Sequence, residues 1–399
     1  MLSARPSTDL IERGTPAFRQ TTAALFAAGF ATFALMYCMQ PLLPELAREF
    51  EVSAATSSLA ISLTTVTLAM TLLVAGHVLE RAPRKGLIVS SLSVTALLTT
   101  AAAVAPSWMT LLAVRALAGV AFAGLPAIVM AYIGEEIAGR VAGLAMGIYV
   151  GGTAVGGMSG RLVASALTEA LGWRPAVAVT GGLGLLAAAL VAATLPAGRH
   201  AARAHASAPA FESRTQADRQ DPVFWQLYAL GFLFMGVFVA VYNYLTFRLV
   251  APPYSLGHAA IGSLFLLYLV GMVSSPWAGS LAAELGRART LGAALVCMLV
   301  GVTCTLASPL WAIVTGIALI TFGFFAAHTV TSSWVGHRAG ARRAQAASRY
   351  IVCYYIGGSL TGTATGFFWS QFGWTGVVTA MTALLVLALV LLRRVSQTP

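Results

Sequence analysis

Two arginines, Arg115 and Arg161, stand inside long apolar runs. A charge held in hydrocarbon costs at least ~2.5 to 3.5 kcal/mol, so each must face partners or water. Counted along their runs they reach similar depths, somewhat outside the midplane, where two guanidiniums would make the outer part of a cavity positive and suited to an anion. The structural alternative is snorkelling toward the outer surface and hydrogen bonding to backbone carbonyls. His328, in Phe324-Phe325-Ala326-Ala327-His328-Thr329, carries the side chain whose ordinary titration suits proton exchange. A histidine in an apolar helix is more often a structural hydrogen-bonding residue. Tyr242, Asn243 and Tyr244 bring donors and flat faces to the end of another run. Aromatics there are frequently interface anchors. Consecutive residues point in different directions, so at most two of the three can face a cavity, with Asn243 the better candidate. All 13 acids lie in loops or at run ends. Proton coupling must therefore use Glu135 or Glu136 at the inner end of the fourth run, His328, Arg115 with bound water, or the charge of the substrate itself.

The elements that must position these groups follow from composition. Charged residues make up 9% of the 399 and hydrophobic ones 58%, and the mean hydropathy is +0.82, whereas soluble chains carry about 25% charged residues. Lipid is the expected solvent. A spanning helix needs ~20 apolar residues, and twelve stretches qualify, so both termini share one side. Cytoplasmic loops carry the excess of Lys and Arg. The segments placed inside hold 19 of the 24, while the outside loops hold only Arg48, Arg174 and Arg248. Met1 to Gln20 lack the apolar core of a signal peptide, which keeps the N-terminus inside. Basic residues form no groove-sized cluster with aromatics, so nucleic acid is excluded as a partner. The 4 cysteines, Cys38, Cys297, Cys304 and Cys353, read as small core residues rather than ligands or disulfides. Gly151-Gly152 and Gly156-Gly157 lack a following Lys-Ser or Lys-Thr, so they read as helix packing rather than a phosphate loop. No cofactor or metal is expected, and no nucleophile stands paired with a base.

The chain is written twice. The charged hinge Gly76-His77-Val78-Leu79-Glu80-Arg81-Ala82-Pro83-Arg84-Lys85 has a weaker copy around Gly279, Glu284, Arg287 and Arg289. Gly156-Gly157 answers Gly357-Gly358, and Gly172-Trp173 answers Gly373-Trp374. Such repeats predict an all-α membrane protein of twelve transmembrane helices in two six-helix bundles with a cavity between them. The expected divisions are 1–195, a cytoplasmic linker over 196–222 that is rich in Ala, Arg and Ser, and 223–399.

The hinge resembles the loop signature of the major facilitator superfamily, and Leu111-x-x-x-Arg115-x-x-x-Gly119 resembles its second motif. Tyr37-Cys38-Met39-Gln40-Pro41-Leu42-Leu43-Pro44 and Tyr242 to Leu249 resemble the efflux subgroup called YnfM-like. The resemblance implies a latch at the cytoplasmic ends built on Gly76, Glu80, Arg81, Arg84 and Lys85, weakly echoed by Glu284 and Arg287, where Ala283 replaces the acid. Topology alone is the plainer explanation of the hinge arginines. The superfamily has Asp at Glu80 and Gly at Pro83, and Arg161 occupies the Pro position of the antiporter motif that Gly147, Gly156 and Gly160 otherwise fit. The implied function is a monomeric secondary transporter of the bacterial inner membrane, moving a small-molecule substrate by alternating access, as proton-coupled efflux. A carrier of organic anions using Arg115 and Arg161, by facilitated transport or symport, is the second reading. A membrane sensor would need a soluble domain, and an intramembrane enzyme would need facing catalytic groups; the sequence offers neither.

Overall fold

A computed structural model describes residues 10–74, 83–198 and 221–397. Backbone groups inside a bilayer must find partners within the protein, so apolar runs close as helices. Among the described residues ten spans come first: α1 (Pro16–Glu49), α2 (Ala54–Leu73), α3 (Arg84–Ala102), α4 (Trp108–Glu136), α5 (Gly139–Leu171), α6 (Trp173–Thr194), α7 (Pro222–Val250), α8 (His258–Leu285), α9 (Arg287–Cys304) and α10 (Leu310–Ala339). The remaining 55 residues, Arg343–Gln397, break at Gly373, whose φ of 58° suits a residue without Cβ. That break divides them into α11 (343–372) and α12 (374–397). Trp374 Nε1 donates to the Thr305 carbonyl beyond the end of α9, at 3.0 Å. A Cβ on Gly292, near the start of α9, would meet Leu392 at 3.6 Å. α12 therefore runs antiparallel to α9, and the chain crosses twelve times, six in each half.

The glycine repeat has a steric cause. A Cβ on Gly156 of α5 would lie 2.1 Å from the Phe30 carbonyl oxygen of α1, and one on Gly357 of α11 would lie 2.2 Å from that of Phe232 in α7. The same close approach of parallel helices is thus built once in each half. The second motif is also a packing device. Thr64 and Thr67 of α2 donate to the Arg115 and Ala116 carbonyls of α4, each at 3.0 Å, and a Cβ on Gly119 would lie 2.2 Å from the Thr64 oxygen.

We call the end carrying Pro16, Asp221 and Val395 the tail end and the opposite one the far end. The far-end part of the first half shares one apolar core with the second half, while its tail-end part, from Phe18 to Leu195, packs as a separate core. Hydrogen bonds between the halves, among the described residues, fall from mid-depth to the far end. They join Thr65 to Ser359 (2.7 Å), Ser62 and Ser58 to Thr363 (3.0 and 3.2 Å), Gln40 to Asn243 (2.8 Å) and the Ala259 amide to Glu169 (2.7 Å). The far end is closed.

Candidate functional site

Arg161 is carried into the seam by the glycine face of α5. Gly152, Gly156 and Gly160 let α5 lie against α1, where added Cβ atoms would meet backbone at 2.4, 2.1 and 2.5 Å. The next face, with Gly157 and Arg161, then turns toward the second half. Arg161 Nη1 donates to the Gly157 carbonyl at 2.5 Å, and Nε donates to Gln40 Oε1 at 2.6 Å. Gln40 Nε2 passes the chain on to Asn243 Oδ1 at 2.8 Å. Gln40 is there because α1 is interrupted by a 3-10 turn over Gln40–Leu42, where Pro41 cannot donate to the helical ladder. The Arg161 guanidinium lies over the rings of Tyr37 (4.2 Å), Tyr268 (4.9 Å) and Phe265 (5.1 Å). Cation–π contacts of this kind give about 0.5 to 2 kcal/mol each, enough together to offset much of the burial cost of a residue only 3% exposed.

Below Arg161 the second half presents a continuous wall of rings. Tyr242 stacks on Phe265 (5.3 Å) and leans on Phe238 (4.9 Å), and Phe238 lies flat on Phe324 (3.7 Å, 10°). Phe324 leads to His328 (6.3 Å), whose ring faces Tyr354 (4.8 Å). His328 Nδ1 and Tyr350 Oη are hydrogen-bonded at 2.9 Å. His328, Phe325 and Tyr354 are half-buried, as are Phe33 and Met158 across the seam. Their partial exposure means that solvent reaches the space where the two halves face each other, which we call the chamber. Among the buried charged residues described, Arg84, Arg115, Glu136 and Arg161, the one acid lies at the tail end, so the chamber is aromatic with a single cation at its far-end roof.

The two arginines both reach the region where the first α1 segment ends, Arg115 at Leu35 and Met36 and Arg161 at Gln40, but their surroundings differ. Arg115 is fully buried and its donors go to carbonyls: Nη2 to Met36 (2.8 Å), Nε to Ala60 (2.9 Å) and Nη1 to Leu35 (3.4 Å). The first regular segment of α1 ends at Tyr37, and the last carbonyls of a helix lack intrahelical partners. Arg115 caps them with a positive charge at the negative end of the helix dipole. The backbone-carbonyl alternative thus describes Arg115 in this conformation, not exposure to the chamber. Of the aromatic triplet, Tyr242 joins the ring wall and bonds Thr321 at 2.8 Å, Asn243 enters the seam, and Tyr244 turns to the Gly362 carbonyl of α11 at 2.9 Å.

At the tail end, Gly76, Glu80 and Arg81 lie outside the described residues. Arg84 clasps Glu135 of α4 through Nη2 (2.9 Å) and Nε (3.2 Å), with both side chains near one-tenth exposed. This joins two candidates that the sequence put in separate roles. Glu136 is buried beside it, and its carbonyl accepts the Ile11 amide at 2.9 Å. Lys85 and Arg287 are half-buried and Glu284 is exposed; none of the three forms an ion pair with a described residue. In the second half the pair is instead Asp221 and Arg338, which ties the start of α7 to the end of α10 at 2.7 Å. Burial raises the Asp221 carboxyl, but hydrogen bonds from Arg338 and the Val223 amide, with the charges of Arg338 and Arg342, hold it below the usual carboxylate range. Sequence reading missed Asp221 as a site residue, although an acid before Pro222 is a helix-capping signal. It also missed Gln40, Tyr37, Phe265, Tyr268 and Tyr354. Gln40 was visible as a lone amide closing an apolar run; the rings look like ordinary core.

Two six-helix halves enclosing a polar-roofed chamber, shut at one end, define a membrane carrier of the alternating-access kind. The Major Facilitator Superfamily model matches residues 25–268 and 249–399, and the chain belongs to that family. It is similar to the uncharacterized MFS-type transporter YybF of Bacillus subtilis (strain 168), with 42% identity over 95% of this chain and 94% of that one. It is also similar to the inner membrane transport protein YnfM of Escherichia coli (strain K12), with 40% identity over 95% and 91%. Among solved structures, an inward-facing, occupied bacterial homologue of the human lysosomal transporter Spinster superposes with a TM-score of 0.82, over 97% of this chain and 98% of that one at 16% identity. A point mutant of the nucleoside transporter NupG gives 0.76, over 94% and 99% at 13% identity. The chain is a multi-pass membrane transporter and not an enzyme.

Proposed function

We propose that this transporter exports a small organic solute across a bacterial inner membrane in exchange for protons. The observation that carries the reading is the chamber itself: a half-buried His328 bonded to Tyr350 lies below the closed far-end seam. The inner-membrane placement is supported by the name of the Escherichia coli relative, and the tail end is cytoplasmic by the bias of Lys and Arg. Residues 1–195 and 223–399 rock about the chamber as two bodies joined by the 196–222 linker, and the Arg84–Glu135 pair belongs to the tail-end latch. One chain encloses the whole path, so the working unit is a monomer within lipid. Export follows from the resemblance of the α1 and α7 ends to the efflux subgroup.

His328 and Tyr350 form the exchangeable proton site, because no buried acid reaches that depth among the described residues. Proteoliposomes loaded with a fluorescent pH dye test this. A transported solute should drive dye-reported proton movement in the native protein, and His328→Gln should abolish that movement while solute counterflow persists. Solute-driven proton flux of native size in His328→Gln would exclude the histidine as the carrier.

A further inference from the structure

We infer that the solute is an organic anion and that Arg161 is its receptor, a deepening that rests on the transport reading above. Nε and Nη1 of Arg161 are engaged by Gln40 and Gly157, while Nη2 has no hydrogen-bond partner among the described residues. The phenol oxygen of Tyr268 is buried without a partner, and its ring lies 4.9 Å from the Arg161 guanidinium carbon. A guanidinium with a free N–H edge, next to an unpaired phenol donor, is a ready donor site for a carboxylate. The residues around it supply what the rest of such a molecule needs. Tyr37 lies within electrostatic reach of Arg161, Tyr268 and Tyr355, and the wall from Tyr242 through Phe238 and Phe324 to Tyr354 offers flat apolar faces. No carboxylate is buried at that depth among the described residues. A cationic solute would meet repulsion there and find no counter-ion. The class that fits is therefore a carboxylate on an aromatic body.

The same contacts give the anion leverage over the seam. Arg161 stands in the first half, yet two of its three ring partners, Phe265 and Tyr268, belong to the second, and its hydrogen-bond chain ends on Asn243 of α7. A carboxylate on Nη2 competes with those rings for the cation and so acts on the one buried charge that bridges the halves at this level. A ligand shifts a conformational equilibrium only through such a differential contact.

Binding of naphthoate, its neutral isostere naphthamide, and naphthylmethylammonium to purified protein in nanodiscs, read by thermal shift and by tryptophan fluorescence, tests the assignment. Naphthoate should bind at least about tenfold more tightly than the amide or the amine, the scale of a charge-assisted hydrogen bond. Arg161→Gln should erase that preference, and Arg161→Lys should keep part of it. Equal or tighter binding of amide or amine, no binding of naphthoate, or native naphthoate affinity in Arg161→Gln would each overturn the inference. The ligand comparison in native protein decides the matter even if the Arg161 variants fail to fold. Counterflow of radiolabelled naphthoate in liposomes separates this claim from the transport reading. Arg161-dependent binding without flux keeps the anion receptor and removes the carrier for this class; flux of the amine that naphthoate does not inhibit keeps the carrier and removes the receptor.

Discussion

At the scale of single residues, burial in hydrocarbon sorts the two central arginines by what their donors reach. Arg115 reaches the Leu35 and Met36 carbonyls at the end of the first α1 segment and the Ala60 carbonyl of α2. Removing it leaves buried acceptors unmet at about 1 to 3 kcal/mol each. Arg115→Ala should therefore lower the detergent melting temperature by several degrees and cut the folded yield, with Arg115→Lys retaining part of both. An unchanged melting temperature in Arg115→Ala would show that those carbonyls find other partners. The sequence made the exceptional nature of both arginines legible, because a charge in an apolar run is rare whatever its role. It could not tell them apart, because depth along a run says nothing about azimuth or about where a neighbouring helix ends. Arg115 meets a helix terminus created by Pro41 on a different span, and that meeting is a tertiary fact.

At the scale of elements, the repeated glycines make a prediction that is equal in the two halves. Adding a methyl at Gly156 or Gly357 puts a carbon 2.1 or 2.2 Å from a facing carbonyl oxygen, so the parallel pairs α1 with α5 and α7 with α11 must separate. Overpacking of this sort costs about 1 to 3 kcal/mol or more. Gly156→Ala and Gly357→Ala should each lower thermal stability measured by fluorescence-detected size exclusion. Gly151→Ala, which adds its methyl to open space, should match the native chain within error. Helix propensity favours Ala over Gly at both sites, so comparable losses at Gly151 and Gly156 would mean that the close α1–α5 contact is not what sets the cost. This repeat was legible because the constraint acts on backbone approach, and only glycine satisfies it in either half. The loop repeat was legible as well but misleading as a guide to pairing. Arg287 answers Arg84 and Glu284 stands one residue after the counterpart of Glu80, yet the tail-end pair of the second half is Asp221 with Arg338. An ion pair between separate helices is set by which ends meet in space, and sequence spacing does not record it.

At the scale of the whole molecule, the halves are joined from mid-depth to the far end, and the first half keeps a separate apolar core at its tail end. The polar joints buried wholly or partly there, such as Thr65 with Ser359 and Ser62 with Thr363, are neutral hydrogen bonds, and the Glu169 carboxylate that accepts from the Ala259 amide is solvent-exposed. Each neutral bond is worth about 0.5 to 1.5 kcal/mol net, so the seam can part without stranding a charge, and Arg161 is the exception that ligand must satisfy. The composition and the doubled pattern were enough to read two bundles, since each span's length and apolarity are local properties. The closed end was not legible, because Ser, Thr and Gln at these positions look like ordinary helix residues until two halves are set against each other. Rocking of rigid halves predicts opposite motions at the two ends. Spin labels on exposed Arg48 of the first half and exposed Ala260 of the second report the far end, and labels on Arg140 and Glu284 report the tail end. A ligand or pH change that lengthens the far-end distance should shorten the tail-end distance in the same sample, with distances inside either half unchanged. Both distances lengthening together, or motion confined to one half, would replace rocking of rigid halves with local gating.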